Sequence, residues 1–412
     1  MKAYRFLAMP ATAAIVALLA AGCAGKPATS VQKSPSGSPT VATPATPTAT
    51  ASSPTATVAP AVPTPVSPTA AGPAGGPISA GFAPMSVTFV SLQTGWVLGA
   101  SCPTCTVSLL RTRDGGKTWA SVPAPPTPAP QGPPAMVRFA NVDDGWVLAS
   151  ELWATHDGGG RWAKPVLPGA AGGQVSDVEA AAGFVHAAVL KTADTGGVVI
   201  ETSPVHQDVW RASATTLPLG AGPIPGARIT LQGTVGWIIE NDRVVVAGAR
   251  LVDGQWMPWQ PPCPQAGGPA MLAASSPHDV VAVCNEGLYG GPPVGVRAYV
   301  STDGLTFRQA RTTVPLRDLE GLASPSAGVM VVAGAEPAPG VVPRLVASRD
   351  GGSTWAAVYD GRPDHSIQEL GFTSATQGVA IESGSNLVGA TLLMTQDGGR
   401  TWKPLPFTQA SQ

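Results

Sequence analysis

The sequence predicts an all-β fold, a seven-bladed β-propeller built from four-stranded antiparallel blades. Three observations carry this. An Asp-Gly-Gly segment closed by Trp recurs through the last four-fifths of the 412 residues, a Phe six places ahead of a Gly precedes it in phase, and no stretch there shows the 3.6-residue apolar period of a helix. Composition agrees. The 24 Lys and Arg nearly balance the 25 Asp and Glu, so there is no basic excess for nucleic acid. With 12% charged residues the chain also lacks the solvated faces of a coiled coil.

Residues 1–22 read as an export signal. Lys2 and Arg5 give the positive start, and the apolar run Ala11–Ala21 is too short to span a bilayer. The run ends in Leu19-Ala20-Ala21-Gly22-Cys23, which resembles the lipobox of bacterial lipoproteins, although Ala20 stands where that motif prefers Leu. The resemblance implies a lipidated Cys23 and anchoring to the extracytoplasmic face of the cell membrane. Residues 23–79 are nearly all Pro, Thr, Ala, Ser, Gly and Val, a composition unable to bury enough surface to order itself. About 56 such residues form a disordered tether with a mean reach near ~40 Å.

Residues 80–410 hold the repeat. Asp114, Asp157, Asp303, Asp350 and Asp397 each head a turn segment closed by Trp119, Trp162, Phe307, Trp355 or Trp402. Adjacent copies lie 43 or 47 residues apart, and the 146-residue gap after Asp157 holds two degenerate copies, Asp208-Val209-Trp210 and Asp253-Gly254-Gln255-Trp256. Phe89, Phe139 and Phe372 precede Gly95, Gly145 and Gly378 by six, and nine of the eleven Trp fall in these two registers. Each unit reads as four short strands, the fourth starting at the Trp of the Asp segment. Seven such units fit a propeller better than a parallel β-helix, whose repeats are shorter.

The Asp segment suits a tight turn between third and fourth strands. Its carboxylate accepts turn N–H groups, its glycines supply positive φ, and its Trp covers the hairpin. A calcium loop needs several oxygen ligands, and each segment offers one carboxylate. Repetition at equivalent positions marks a scaffold rather than a catalytic centre. The motif resembles the Asp-box, or BNR, hairpin of sialidases and sortilin-type receptors. Combined with the Phe and Gly-Trp signals, it resembles the photosystem II assembly and stability factor family of seven-bladed propellers. That resemblance covers the framework alone and places no functional residue on this sequence.

Cys102, Cys105, Cys263 and Cys284 are an even number in an exported chain and are disulfide candidates. Cys102-Pro103-Thr104-Cys105 reads as a hairpin staple, with a redox pair, free thiols or metal as alternatives. Cys263 and Cys284 would join the fourth blade's end to the fifth blade's second strand. The five His are scattered singly, with no paired zinc spacing, and read as surface or loop residues; no metal or cofactor is expected. A sialidase-like glycosidase needs an arginine cluster and a Tyr nucleophile, but no Lys or Arg occurs between Lys33 and Arg111. Tyr299 and Tyr359 fall on outer strands. The expected function is therefore a non-catalytic, monomeric scaffold binding a protein, with a glycan-binding module or sialidase-like exo-glycosidase as the alternative. Candidate contacts on the innermost strands are Arg138, Asp177, Glu179, Arg228, Asp318, Glu320 and Glu369.

Overall fold

The computed structural model describes residues 77–101, 106–127, 135–191, 196–220, 226–241, 245–263, 270–286, 295–335 and 342–410. The export signal, Cys23, the tether up to residue 76, Cys102 and Cys105 lie outside them. The described strands form seven antiparallel sheets, each cut from one contiguous stretch of chain. Their first strands are Ala83–Phe89, Met136–Phe139, Gln174–Ala181, Gly226–Gln232, Ala270–Ala274, Asp318–Ala323 and His365–Phe372. Each touches the first strand of the next blade, and the seventh touches the first, so the ring is closed. Among the described residues no helix is long and apolar enough to cross a membrane.

Both faces of each blade are apolar, so burial happens between blades. Seven apolar clusters result, one per seam. At the seam of blades 1 and 2, Trp96, Leu98 and Leu109 meet Val137, Phe139, Val147 and Trp162. Trp96 stacks flat on Phe139, their ring centroids 3.8 Å apart. The Cys263–Cys284 disulfide lies in the cluster of blades 4 and 5, with Cα atoms 5.6 Å apart.

The Phe-to-Gly spacing has a steric cause. Phe89, Phe139 and Phe372 pair across the ladder with Gly95, Gly145 and Gly378. A Cβ on those glycines would sit 2.6, 2.4 and 2.7 Å from a ring atom, so each ring fills the place of the missing side chain.

Six sheets have four strands; blade 2 departs from the expectation with three. Its fourth strand shrinks to one bridge, Ala154 with Ala163. The next bonded pair outward would set Pro165 opposite Leu152, and proline has no N–H to donate. On the other side the Arg161 N–H is taken by Asp157 Oδ1 at 2.8 Å. In blades 1, 6 and 7 the fourth strand begins one residue past the Trp, at Ala120, Ala356 and Lys403. In blade 1 the reason is visible: Trp119 pairs with the C-terminal tail. Its N–H donates to Thr408 O and its carbonyl accepts from Ala410 N, each at 2.8 Å. Phe407 packs on Trp119 and Phe82, and Ile78 N donates to Gln409 Oε1 at 2.8 Å. The propeller's own contacts thus begin by Ile78, slightly ahead of the expected boundary at 80.

Candidate functional site in the central channel

The first strands present an open edge to the channel, and the N–H groups along it need acceptors. Bulges supply them. In blades 1, 3, 6 and 7 the ladder slips at Pro84/Ser86, Val175/Asp177, Leu319/Gly321 and Ile367/Glu369. Each slip turns a polar side chain toward the next blade. Ser86 Oγ accepts from Val137 N at 2.9 Å, Asp177 Oδ2 from Ile229 N at 2.7 Å, and Glu369 Oε2 from Val87 N at 2.7 Å. The bulged residues themselves do the same: Ser176 Oγ accepts from Ala227 N at 2.9 Å and Glu320 Oε2 from Ile367 N at 2.8 Å. Three of the seven candidate contacts, Asp177, Glu320 and Glu369, therefore staple blade to blade. Ser86 and Ser176 share that role and were not singled out from the sequence, where a bulge leaves no signature.

Arg138 is the hub of the remaining candidates. Its Nε lies 2.6 Å from Glu179 Oε1 in blade 3, and its Nη1 2.8 Å from Glu369 Oε1 in blade 7. Nη1 also donates to Val137 O at 2.9 Å. One guanidinium thus ties blades 2, 3 and 7 at the axis. The three side chains keep 17–28% of their exposure, so channel water screens the cluster. Burial acts against the Arg138 charge, but Glu179, Glu369 and Asp177 outweigh it and hold the guanidinium protonated. Burial pushes the Glu179 carboxyl up to about 7 against the pull of Arg138, and Asp177 adds to the rise. Arg228 is exposed in the first strand of blade 4. Asp318 opens the first strand of blade 6 with its backbone opposite Ala335; its side chain is outside the described residues.

The predicted turn residues are placed together as local units. In each of the five segments a Thr or Ser hydroxyl donates to the Asp at 2.8–2.9 Å. A backbone N–H three or four places past each Asp donates to the same carboxylate. The Gly after each Asp donates its N–H to the first hairpin of the same blade, as Gly115 does to Gln93 O at 2.8 Å. Bonds from the Thr354 hydroxyl and N–H bring the Asp350 carboxyl down to about 2. Trp96 and Trp237 then reach the following blade's turn, donating to Gly158 O at 3.3 Å and Gly304 O at 3.2 Å. Trp146 faces blade 3, whose copy has lost the Gly-Gly pair, and its buried indole N–H has no partner among the described residues.

Tyr359 lies on the outer strand of blade 6 and donates to the buried Glu382 at 3.0 Å, beside Arg362. Burial, then Glu382, pushes its phenol up to about 12, which makes it a poorer nucleophile than free tyrosine. The His residues correct the reading that they stand singly: His156 and His206 both contact Asp144.

No family model matches the chain, and no curated protein matches it. Solved structures do. YCF48 bound to D1 peptide superposes with a TM-score of 0.52 at 18% identity, over 76% of this chain and 93% of that one. YCF48 from Cyanidioschyzon merolae gives 0.52 at 15% identity, over 78% and 97%. The β-propeller domain of the Trilobed protease from Pyrococcus furiosus, described as having an open velcro topology, gives 0.51 at 8% identity, over 80% and 99%. The protein is a seven-bladed β-propeller, similar in fold to YCF48.

Proposed function

We propose that this chain is a non-catalytic, lipid-anchored scaffold that binds a protein segment outside the cytoplasm. In this reading its five Asp turns are Asp-box hairpins, Cys23 is the lipidated residue, and the 23–79 tether lets the ring search for its partner. One observation carries the reading. Five of the seven channel candidates, Arg138, Asp177, Glu179, Glu320 and Glu369, are committed to bonds between blades, and Arg138 is paired with two carboxylates. A rigid ring of this kind offers a broad docking face rather than a reactive pocket. The fold likeness to YCF48, which has been solved with a D1 peptide, supports a protein partner.

The test is cross-linking in intact cells followed by capture through the propeller. One partner recovered in stoichiometric yield, and lost when the export signal is removed, supports the reading. Turnover of a fluorogenic sialoside, or selective retention on a glycan array without a protein partner, overturns it in favour of the glycosidase or glycan-binding alternative.

A further inference from the structure

We propose that the seam between blades 2 and 3 is a pH-sensitive clasp, held shut by a protonated His156 that bridges Asp144 of blade 2 and Asp208 of blade 3, and loosened when that imidazole loses its proton. This goes beyond the scaffold reading and does not depend on it.

The seam is built differently from others in the ring. Trp96 and Trp237 each donate across a seam to the glycine that follows the next blade's Asp. In blade 3 the residue after Asp208 is Val209, and the Trp146 indole N–H finds no acceptor among the described residues. Two His–Asp contacts cross the seam instead. His156 Nε2 lies 3.3 Å from Asp208 Oδ2, and His206 Nδ1 lies 2.6 Å from Asp144 Oδ2. His156 Nδ1 is also 2.7 Å from Asp144 Oδ1, so both nitrogens of one ring face carboxylates. A neutral imidazole has a single N–H and would turn a lone pair on one of those anions. Only the imidazolium donates to both.

Turn positions explain how the clasp arises. In an intact turn the hydroxyl two places before the Asp donates to it, as Thr112 does to Asp114 at 2.9 Å. His206 fills that place in blade 3 and reaches Asp144 instead. Asp208 is thereby left for His156, its other oxygen meeting the Trp210 indole N–H at 3.4 Å. The place just before the Asp spans a seam elsewhere too. In blade 6 it is Arg349, whose Nη2 donates to Gly398 O of blade 7 at 3.0 Å. Arginine keeps its charge there through the biological pH range, whereas the histidine in blade 2 does not.

The bond to Asp208, acting against burial and reinforced by Asp144, raises His156 to about 9. The other charged groups facing it are His206 across the seam, Asp157, which is turned into its own loop, and Asp143, which lies near Arg111 of blade 1. An open cleft of about 350 Å³, lined in part by Asp144, His156 and His206, brings water and protons to the ring. The folded state binds this proton more tightly than the unfolded chain. The clasp's stabilisation is therefore full below about pH 6.5 and is lost as pH rises through about 9.

The experiment is thermal unfolding of the full chain between about pH 6.5 and 9.5, in the parent, His156→Gln and His156→Arg. The parent midpoint should fall by a few degrees more than that of His156→Gln across this window, and His156→Arg should lose the extra fall. Proton NMR should show one imidazole, absent in His156→Gln, titrating above about pH 8 rather than near the ordinary ~6.5. Asp208→Asn, at a partly exposed position, should bring that titration down and keeps the test open where a His156 variant fails to fold. Parallel falls in the parent and His156→Gln, an imidazole set that titrates only near its ordinary value, or an unchanged titration in Asp208→Asn overturns the proposal.

Discussion

Gly145 is defined by the ring that covers it. A Cβ there would lie 2.4 Å from Phe139, which is itself stacked on Trp96 and so cannot retreat. Gly145→Ala should cost about 1–3 kcal/mol of unfolding free energy by overpacking. Adding Phe139→Leu should recover part of that loss in chemical denaturation, and a double variant no more stable than the sum of the singles would refute the ring-over-glycine account. The turn carboxylates make a pH prediction at the same scale. Thr354 holds the Asp350 carboxyl at about 2, below its ordinary value, so the folded state binds this proton less readily than the unfolded chain. Its stabilisation is full above about pH 4 and is lost as pH falls toward 2. Urea midpoints across that window should fall less steeply in Asp350→Asn than in the parent protein.

At the scale of elements, the bulged first strands decide how blades join. Ser86 Oγ accepts from Val137 N and donates to Glu369, so it serves blades 1, 2 and 7 together. Ser86→Ala leaves the Val137 N–H in a buried edge without its acceptor and should cost about 1–3 kcal/mol. A thermal midpoint equal to the parent's would show that water replaces the hydroxyl. What the sequence reveals at this scale divides by distance along the chain. The five Asp turns are legible because Thr112, Asp114 and Thr118 bond within six residues of one another, so spacing alone encodes the geometry. The staples are not, because a bulge depends on pairing with another strand. Asp177 and Glu369 look like solvated channel groups until the register is known. His156 and His206 stand 50 residues apart and meet only because blade 3 folds beside blade 2. The missing fourth strand of blade 2 was legible in principle, since Pro165 lies where the ladder needs an N–H.

For the whole molecule, the seam between blades 7 and 1 is the one to watch. Among the described residues no strand from one end of the chain completes a sheet begun at the other, so the closure of blade 7 on blade 1 rests on side-chain packing and residues 407–410. Thr408, Gln409 and Ala410 pair with blade 1, and Phe407 covers Trp119. Removing residues 406–412 should expose Trp119, shift tryptophan emission to the red and lower the thermal midpoint. Unchanged emission would mean that the seven seams close the ring without the tail.

Because every blade is an uninterrupted run of sequence, the ring is modular in heredity as well as in space. Copying or dropping one stretch of codons adds or removes a whole wedge without re-threading the others. Blade 1 is exempt, since it carries the contacts to residues 407–410, and a change of blade number would have to keep blades 1 and 7 intact.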